Sequence, residues 1–430
     1  MPSFDTRVPA VLVRLDRNPF HHGTLGAARS LGRAGVPVHA VLESPTSPAA
    51  RSRYVHTRPT PASPTALPAA LTDLLLRLSG RHATPALLVP LDDLSALALA
   101  EHRAELTDRY LLPDQSAEQL ARVADKAALA ETCRALALPH PPTGLPESAE
   151  EAATMAWSLG LPVVAKWSRP WLLPPGSGLR STSIVRSLAD VRALYARTAE
   201  AGSRLLLQQL LPPGRELDWF VHGYADSAGR CAAGATGRKE RSWPGGAGLT
   251  AVGRWAANPA IERAAGELLS ALGYRGVFDL DFRLDRSTGA YHLLDFNPRP
   301  GAQFRLFADA DGLDVVRAMH LDLTGRPVPA HSPSYGRRFV VENYAALSVL
   351  TSPRRRYAPE PADTPRGRTE TAWFAADDLT PAFAMAGAWF LHSLRKAVVT
   401  LRRLLWPDHP RRVTTVSPPA RTASDRMTRR

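Results

Sequence analysis

Two acidic stretches in the second half of the 430-residue chain carry the pattern best suited to chemistry. In FDLDF, Asp279 and Asp281 lie on one face of a predicted strand because strand side chains alternate. In LLDFNPR, Asp295, Asn297 and Arg299 share a face for the same reason. The DRSTG turn between the two stretches predicts a hairpin that places these faces side by side. Oxygen donors without His or Cys favour Mg²⁺ or Mn²⁺ over zinc, so Asp281, Asp295 and Asn297 are the predicted metal ligands.

Solvated carboxylates on an exposed strand face would give the same acidic residues without a metal site. Apolar residues alternate with the acidic ones, however, which indicates a strand that is packed on one face and open to a cleft on the other. These apolar residues are Val277, Phe278, Leu280, Phe282, Leu293, Leu294 and Phe296. The alternation therefore favours the metal site.

The chain has 49 arginines but only four lysines, Lys126, Lys166, Lys239 and Lys396. Such a ratio indicates a bias that replaces lysine by arginine wherever the exchange is tolerated. A retained lysine is then expected where a compact ammonium cannot be exchanged for a planar guanidinium, although chance retention gives the same pattern. The alternative to a functional role for Lys126 is an ordinary lysine on a helix surface. Lys166 lies in the apolar strand PVVAKW, where burial of an ammonium without a partner would cost free energy.

Hydrophobic periodicity predicts the elements that position these residues. Residues 1–113 alternate apolar strands with Ala/Leu helices, which predicts a small parallel-sheet α/β domain. Residues 114–138 and 259–272 have helical patterns. Residues 331–406 read as an appended segment, irregular to 380 and helical from 381, and residues 407–430 as a basic disordered tail.

The stretch DFNPR at 295–299 resembles the metal motif of the ATP-grasp superfamily, with the preceding acidic position at Asp281. The resemblance extends from about Gln115 to Thr324. It implies an α/β (α+β) fold in which residues 1–113 form the pre-ATP-grasp domain and residues 114–330 the ATP-grasp domain. The lid subdomain would cover about 145–204, and the remainder would be a C-terminal helical extension.

The resemblance also implies which residues reach the phosphates of ATP. Lys126 and Lys166 match the two nucleotide lysines of the superfamily. The loop LLPPGSGLRSTS resembles the lid loop that folds over the triphosphate, with Gly176, Ser177 and Gly178 at its centre. Flexible surface loops have the same composition, so the position of this loop after the Lys166 strand is what favours a lid.

A further stretch, LLLQQLLPPGRELDWF, resembles the hinge at which the superfamily binds adenine and ribose. Gln208, Gln209 and Leu210 are expected at the adenine edge, and Glu216 at the ribose. A glutamine stands at the position where an acidic residue often begins this hinge. The sequence therefore leaves open which residue binds adenine. Lys239 in GRKER is a candidate phosphate contact, with a charged edge strand as the alternative.

The opening NPFHHGTLGAARSLGRAGVPVHAV resembles the carboxylate–amine ligase branch of the superfamily, which includes D-aspartate-ligase-like proteins. A carbamoyl-phosphate-synthase-like ATP-binding domain is implied with it. The His22–Gly23 loop before a helix is a candidate carboxylate site because helix N-termini favour anions, and an ordinary turn with a cap is the alternative.

Taken as a whole, the resemblance implies a ligase that activates a carboxylate as an acyl phosphate, which an amine attacks to give an amide, ADP and phosphate. The catalytic residues would be Asp281, Asp295, Asn297 and Arg299, with ATP and Mg²⁺ (or Mn²⁺) as cofactors and small carboxylates and amines as substrates. A carboxylase or kinase-like relative with another acceptor stays open. So does a non-catalytic nucleotide-binding protein at a membrane surface.

Charge and cysteine content indicate the kind of partner and the compartment to expect. Residues 394–430 carry ten basic and two acidic residues, +8 of the net +13, so the basicity is concentrated at one end and predicts no nucleic-acid partner. Two cysteines predict no disulfide framework, and the start of the chain lacks a long apolar stretch, which favours the cytoplasm. The 381–406 helix is basic and amphipathic, and we expect it to pack on its own protein rather than on a membrane.

Overall fold

A computed structural model of the chain describes residues 2–57, 59, 67–245, 248–351 and 367–405. Within these residues the strands form three sheets, of five, seven and four strands. They are named here the first, central and small sheets. The chain divides into two compact units, Met1–Ala386 and Gly387–Arg430.

The first sheet confirms the parallel α/β pattern expected for the start of the chain. Its order is β3-β2-β1-β4-β5 and every pairing in it is parallel. The strands are β1 (Ala10–Val13), β2 (Val38–Val41), β3 (Val55–Thr57), β4 (Ala86–Pro90) and β5 (Tyr110–Leu111). The helices are α1 (His22–Arg33), α2 (Leu67–Ser79), α3 (Asp93–Glu101) and α4 (Arg103–Leu106). The carboxyl ends of β1 and β4 lie side by side, and the chain crosses from there into α1 and α3.

The predicted single helix over 114–138 is wrong, because the structure has two helices there. They are α5 (Ala117–Ala124) and α6 (Lys126–Ala135). Asp125 stands between them with φ −69° and ψ 116°, and its side chain accepts hydrogen bonds from the amides of Ala127 and Ala128. A carboxylate that caps a new helix N-terminus favours a break over a continuous helix. The break makes Lys126 the first residue of α6.

The small sheet follows, in the order β6-β9-β7-β8. Its strands are β6 (Thr143–Gly144), β7 (Val163–Trp167), β8 (Thr182–Val185) and β9 (Leu205–Gln209). The helices α7 (Ala149–Leu159), α8 (Leu188–Tyr195) and α9 (Thr198–Ala201) accompany it. A separate core that includes Trp167, Val191 and Leu207 holds the sheet and its helices together.

The central sheet begins with β10 (Asp218–Ala225), β11 (Cys231–Trp243), β12 (Leu249–Trp255), β13 (Gly276–Leu284) and β14 (Tyr291–Asn297). The predicted helix at 259–272 is confirmed as α10 (Pro259–Leu272), and α11 (Val315–Leu323) follows β14. The expected hairpin is also confirmed, because β13 and β14 pair antiparallel with Asp281 opposite Asp295. One core lies between α5, α10 and this hairpin, and another joins α1 and α11 to the first sheet.

Residues 331–380 are not irregular throughout, contrary to expectation. They form β15 (Arg338–Val340), α12 (Glu342–Thr351) and β16 (Thr369–Thr371), and the two strands extend the central sheet beyond β12. Strands of three residues carry almost no periodicity, so only the pairing of β15 with β12 and of β16 with β15 reveals them. The segment is fixed further by Asp378, which accepts hydrogen bonds from Arg29 and Ser52.

The last helix, α13 (Thr380–Leu405), confirms the helical reading of the C-terminal segment. Its first turns are anchored, because Pro381 and Met385 are buried. The expectation that its apolar residues pack on the protein is wrong for Phe383, which is 74% exposed. The tail predicted for 407–430 lies outside the described residues.

Candidate active site on the central sheet

Two neighbouring rows of residues cross strands β10, β13 and β14 and form the centre of the site. One row pairs Phe220 with Asp281 and Asp281 with Asp295. The other pairs His222 with Asp279 and Asp279 with Asn297. The register therefore places all three predicted metal ligands on one patch of adjacent strands, as the period of two requires.

Each carboxylate of the first row forms an ion pair with one of the rare lysines. Nζ of Lys239 lies 2.7 Å from Oδ1 of Asp281, and Nζ of Lys126 pairs with Oδ1 of Asp295. Burial disfavours both ammonium groups, but the carboxylates outweigh it and raise the pKa of Lys126 and of Lys239. Both lysines are therefore charged at neutral pH, as a phosphate site requires.

Lys166 stands on β7 and reaches the same patch from the small sheet. Its Nζ donates to the carbonyl oxygen of Leu294, at 2.8 Å, next to Asp295. Burial lowers the pKa of Lys166, although Asp295 and Asp281 oppose this effect. Three of the four lysines of the chain thus converge on two facing carboxylates, from three different elements.

Arg299 follows β14 and connects the second row to the first sheet. Its guanidinium lies 3.2 Å from Oδ1 of Asp93, at the start of α3, and 3.5 Å from Oδ2 of Asp279. It also donates to Oδ1 of Asn297, at 3.2 Å. Burial opposes its charge, but Asp93 and Asp279 raise the pKa of Arg299. The guanidinium is thereby fixed with its charge on the edge of the site.

The donor set fits a hard divalent cation. Asp281 and Asp295 lie on adjacent strands, and their side chains are 27% and 29% exposed. Nδ2 of Asn297 lies 3.3 Å from Oδ2 of Asp279, which orients the amide with Oδ1 on the side of Arg299. No cluster of three or more His, Cys, Asp or Glu suited to a metal occurs among the described residues.

Three residues of the site were missed in the sequence. Asp125 holds Lys126 at the start of α6 and accepts from Oγ of Ser168, at 2.7 Å, and Nε of Arg169, at 2.8 Å. Asp93 follows β4 at the carboxyl edge of the first sheet, where ligand-binding residues of α/β sheets gather, and this position could have revealed it. His222 gives no signal in the sequence, because only the strand register places it beside Asp279.

The glycine loop expected to cover the phosphates lies in open space. Gly176 and Gly178 have φ of +81° and +75°, and a Cβ at either position would meet no atom within 4 Å. Nη2 of Arg197 donates to the carbonyl oxygen of Ser177, at 2.7 Å, which ties the loop to the small-sheet subdomain. The backbone of this loop is therefore accessible to a ligand.

The proposed hinge residues differ in their surroundings. Gln208 is buried, and its Nε2 donates to Oγ1 of Thr143, at 2.9 Å, within the small sheet. Gln209 ends β9 as an exposed residue, and Leu210 follows it. Glu216 has φ +65° and pairs with Arg238 at 3.0 Å. The side chain of Gln208 is thus occupied inside the protein, which leaves Gln209 and Leu210 as the accessible part of the stretch.

The His22–Gly23 pair lies in the first turn of α1 rather than in a loop before it. His21 is the N-cap, and its Nδ1 accepts from the amide of Thr24 at 3.2 Å. The ring of His22 packs among Phe339, Tyr344 and Trp373. An ordinary helix cap explains the position of His21. The carboxylate site at His22 and Gly23 remains a prediction.

Together, the parallel first sheet, the small antiparallel sheet and the carboxylate hairpin of the central sheet constitute the ATP-grasp fold. An ADP complex of the N5-carboxyaminoimidazole ribonucleotide synthetase purK covers 91% of this chain and 97% of its own, at 14% identity and a TM-score of 0.58. The corresponding synthetase of Thermus thermophilus covers 75% and 80%, at 18% identity and a TM-score of 0.55. Biotin carboxylase of Campylobacter jejuni covers 75% and 72%, at 15% identity and a TM-score of 0.53.

These structures establish the fold of the chain. The sequence matches no protein-family model, and no curated protein matches it.

Proposed function

We propose that the protein is an ATP-dependent carboxylate–amine ligase. In this reaction a carboxylate oxygen of the substrate attacks the γ-phosphorus of ATP and ADP leaves. The amine nitrogen then attacks the acyl carbon, phosphate leaves, and the nitrogen loses a proton. The observation that carries the proposal is the facing pair Asp281 and Asp295 with Lys126, Lys166 and Lys239 around it.

The charges of this cluster suit a metal–triphosphate ligand. Mg²⁺, when bound by Asp281, Asp295 and Asn297, would neutralise charge on the transferring phosphoryl group. Lys126 and Lys239 would turn from the carboxylates to the phosphate oxygens, so no ammonium or carboxylate would lose its partner. Lys166 would add a point charge to the phosphates from the small sheet, and the accessible Gly176–Gly178 backbone would close over them.

Arg299 is placed to hold the anionic acyl group. Its guanidinium is fixed by Asp93, Asp279 and Asn297 at the edge of the metal site, so it would need little reorganisation as negative charge develops. Asp93 in turn joins this group to the carboxyl edge of the first sheet, where the carboxylate substrate is expected. The adenine would lie against Gln209 and Leu210, with Glu216 at the ribose.

Release of ADP tests the proposal even while the two substrates are unidentified. Amino acids and small carboxylic acids would be screened singly and in pairs with ATP and Mg²⁺, and positive pairs examined by mass spectrometry for an amide. We expect ADP, phosphate and amide in equal amounts for a carboxylate–amine pair. The matched control is Asp285→Asn in the turn of the same hairpin, which should retain activity where Asp295→Asn does not.

A second candidate is ATP-dependent carboxylation. The structural neighbours include biotin carboxylases, one of them described in complex with MgADP and bicarbonate. ADP release that requires bicarbonate, with a carboxylated product and no amide, would favour this reaction. ATP binding without any acceptor-dependent ADP release would contradict both candidates.

A further inference from the structure

Helix α13 exposes an unusual amount of apolar surface. Its first turns are anchored by Pro381 and Met385, which are buried. Five large apolar side chains of the helix are nevertheless between 44% and 74% exposed. They are Phe383, Phe390, Leu391, Leu394 and Val398, named here the apolar stripe. Single exposed apolar residues are ordinary, but a contiguous set marks an interaction surface.

The stripe runs along one side of the helix. Phe383, Phe390, Leu394 and Val398 are separated by seven, four and four residues, and Leu391 lies one residue from Phe390. At 3.6 residues per turn these positions fall within about 100° of arc. The helix has 26 residues and is therefore about 39 Å long. Such a continuous stripe matches a flat apolar surface better than a small pocket.

The charge of α13 indicates which kind of surface would cover the apolar stripe. The sequence of α13 contains Arg395, Lys396, Arg402 and Arg403 and no acidic residue. Arg395 and Lys396 are exposed and directly follow Leu394 of the stripe. A second copy of the same helix would bring like charges together, which opposes pairing through this face. An anionic surface with an apolar layer below it complements both features.

We propose that α13 lies along an anionic lipid bilayer, with the apolar stripe at the boundary of head groups and acyl chains and with Arg395 and Lys396 attracted to the phosphates. Among the described residues no helix is both long and apolar enough to cross a membrane, so the contact is with the surface. The catalytic proposal does not depend on this contact, because none of its residues belongs to α13.

Vesicle sedimentation with the full chain tests the proposal. The vesicles are pure phosphatidylcholine or phosphatidylcholine with phosphatidylglycerol. We expect binding to the anionic vesicles only, weakened by added salt. The double variant Phe390→Ser/Leu394→Ser should weaken binding by about tenfold or more, because two apolar side chains no longer leave water. Arg395→Gln/Lys396→Gln should weaken it on anionic vesicles as well.

The control is Trp157→Ser, which removes an equally exposed apolar side chain from α7 and should bind vesicles like the parent. ATP affinity of every variant, measured by calorimetry, shows that the fold and nucleotide site are intact. Equal binding by parent and double variant, or no binding of the parent to anionic vesicles, would overturn the proposal. So would a concentration-dependent dimer of the parent that the double variant abolishes, since the occupant would then be a second copy.

Discussion

Nε2 of His222 lies 3.2 Å from Oδ1 of Asp279, in the row of residues next to the Asp281–Asp295 pair. Burial lowers the pKa of His222 to about 3, so the ring is neutral at the pH of the cell. Burial and the neighbouring Asp281 raise the pKa of Asp279. The contact places a neutral ring against the carboxylate that orients Asn297 and Arg299. We therefore expect His222 and Asp279 to act as positioning residues for the proposed site.

The side chains of His222 and Asp279 occupy space that a side chain at position 301 would fill, and Gly301 leaves that space free. A Cβ at Gly301 would lie 1.9 Å from Cε1 of His222 and 2.8 Å from Cγ of Asp279. Gly301→Ala should therefore displace both side chains and reduce kcat/KM by about 100-fold. Gly266→Ala is the matched control, because a Cβ in that part of α10 meets nothing within 4 Å. The control should retain activity and stabilise the fold by about 0.5–1 kcal/mol. Equal activity of both variants would contradict the assignment of His222 and Asp279.

Asp295→Asn should abolish turnover and leave the fold intact. The substitution removes the charge that pairs with Lys126 and that the proposed metal would need, whereas the side chain is 29% exposed and contributes little to a core. We expect activity to fall by at least about 100-fold at saturating Mg²⁺ while the Tm changes by only a few degrees. Turnover within a few-fold of the parent would remove Asp295 from the metal site.

The sequence predicted which residues share a face better than it predicted their contacts. The common face of Asp281, Asp295 and Asn297 could be predicted because the period of a strand and a short turn determine it. The approach of Lys166 to Leu294 depends on how the small sheet lies against the central sheet, and no local pattern specifies that. Strands β15 and β16 were missed for the same reason, since the pairing of β15 with β12 and of β16 with β15, and not propensity, forms them.

Lys166→Arg should weaken ATP binding by about tenfold or more despite conserving charge. A forked guanidinium is larger and more rigid than the partly buried ammonium of Lys166, which donates to the carbonyl oxygen of Leu294. Lys396→Arg, on the exposed surface of α13, should leave ATP affinity unchanged. Isothermal titration calorimetry with ATP and Mg²⁺ measures both, and an unchanged affinity of Lys166→Arg would exclude it from the phosphate site.

Stability should fall on acidification because of His22. Burial lowers its pKa to about 4, below the ordinary 6.5, so the unfolded chain binds a proton between these values that the folded chain does not. From about pH 7 to pH 5 this difference alone lowers the free energy of unfolding by about 2 kcal/mol. His22→Phe suits the cluster of Phe339, Tyr344 and Trp373 and should remove about that much of the pH dependence. Denaturant unfolding at both pH values measures it, with the exposed His56→Gln as a control that should match the parent.

Truncation should separate the two parts of the C-terminal segment. Ending the chain after Ala386 removes most of α13 and the basic tail, yet it retains Trp373 and Asp378, which are buried and hold Asn343 and Arg29. That variant should keep its Tm and its ATP affinity, because the larger compact unit ends at the same residue. Ending the chain after 366 also removes β16 and leaves the buried Arg29 guanidinium without its carboxylate. Loss of one partner of a buried ion pair costs about 3–5 kcal/mol, so this shorter variant should unfold or aggregate. Thermal unfolding and calorimetry distinguish the two, and a fully stable chain ending at 366 would show that Arg29 and Asp378 do not support the fold.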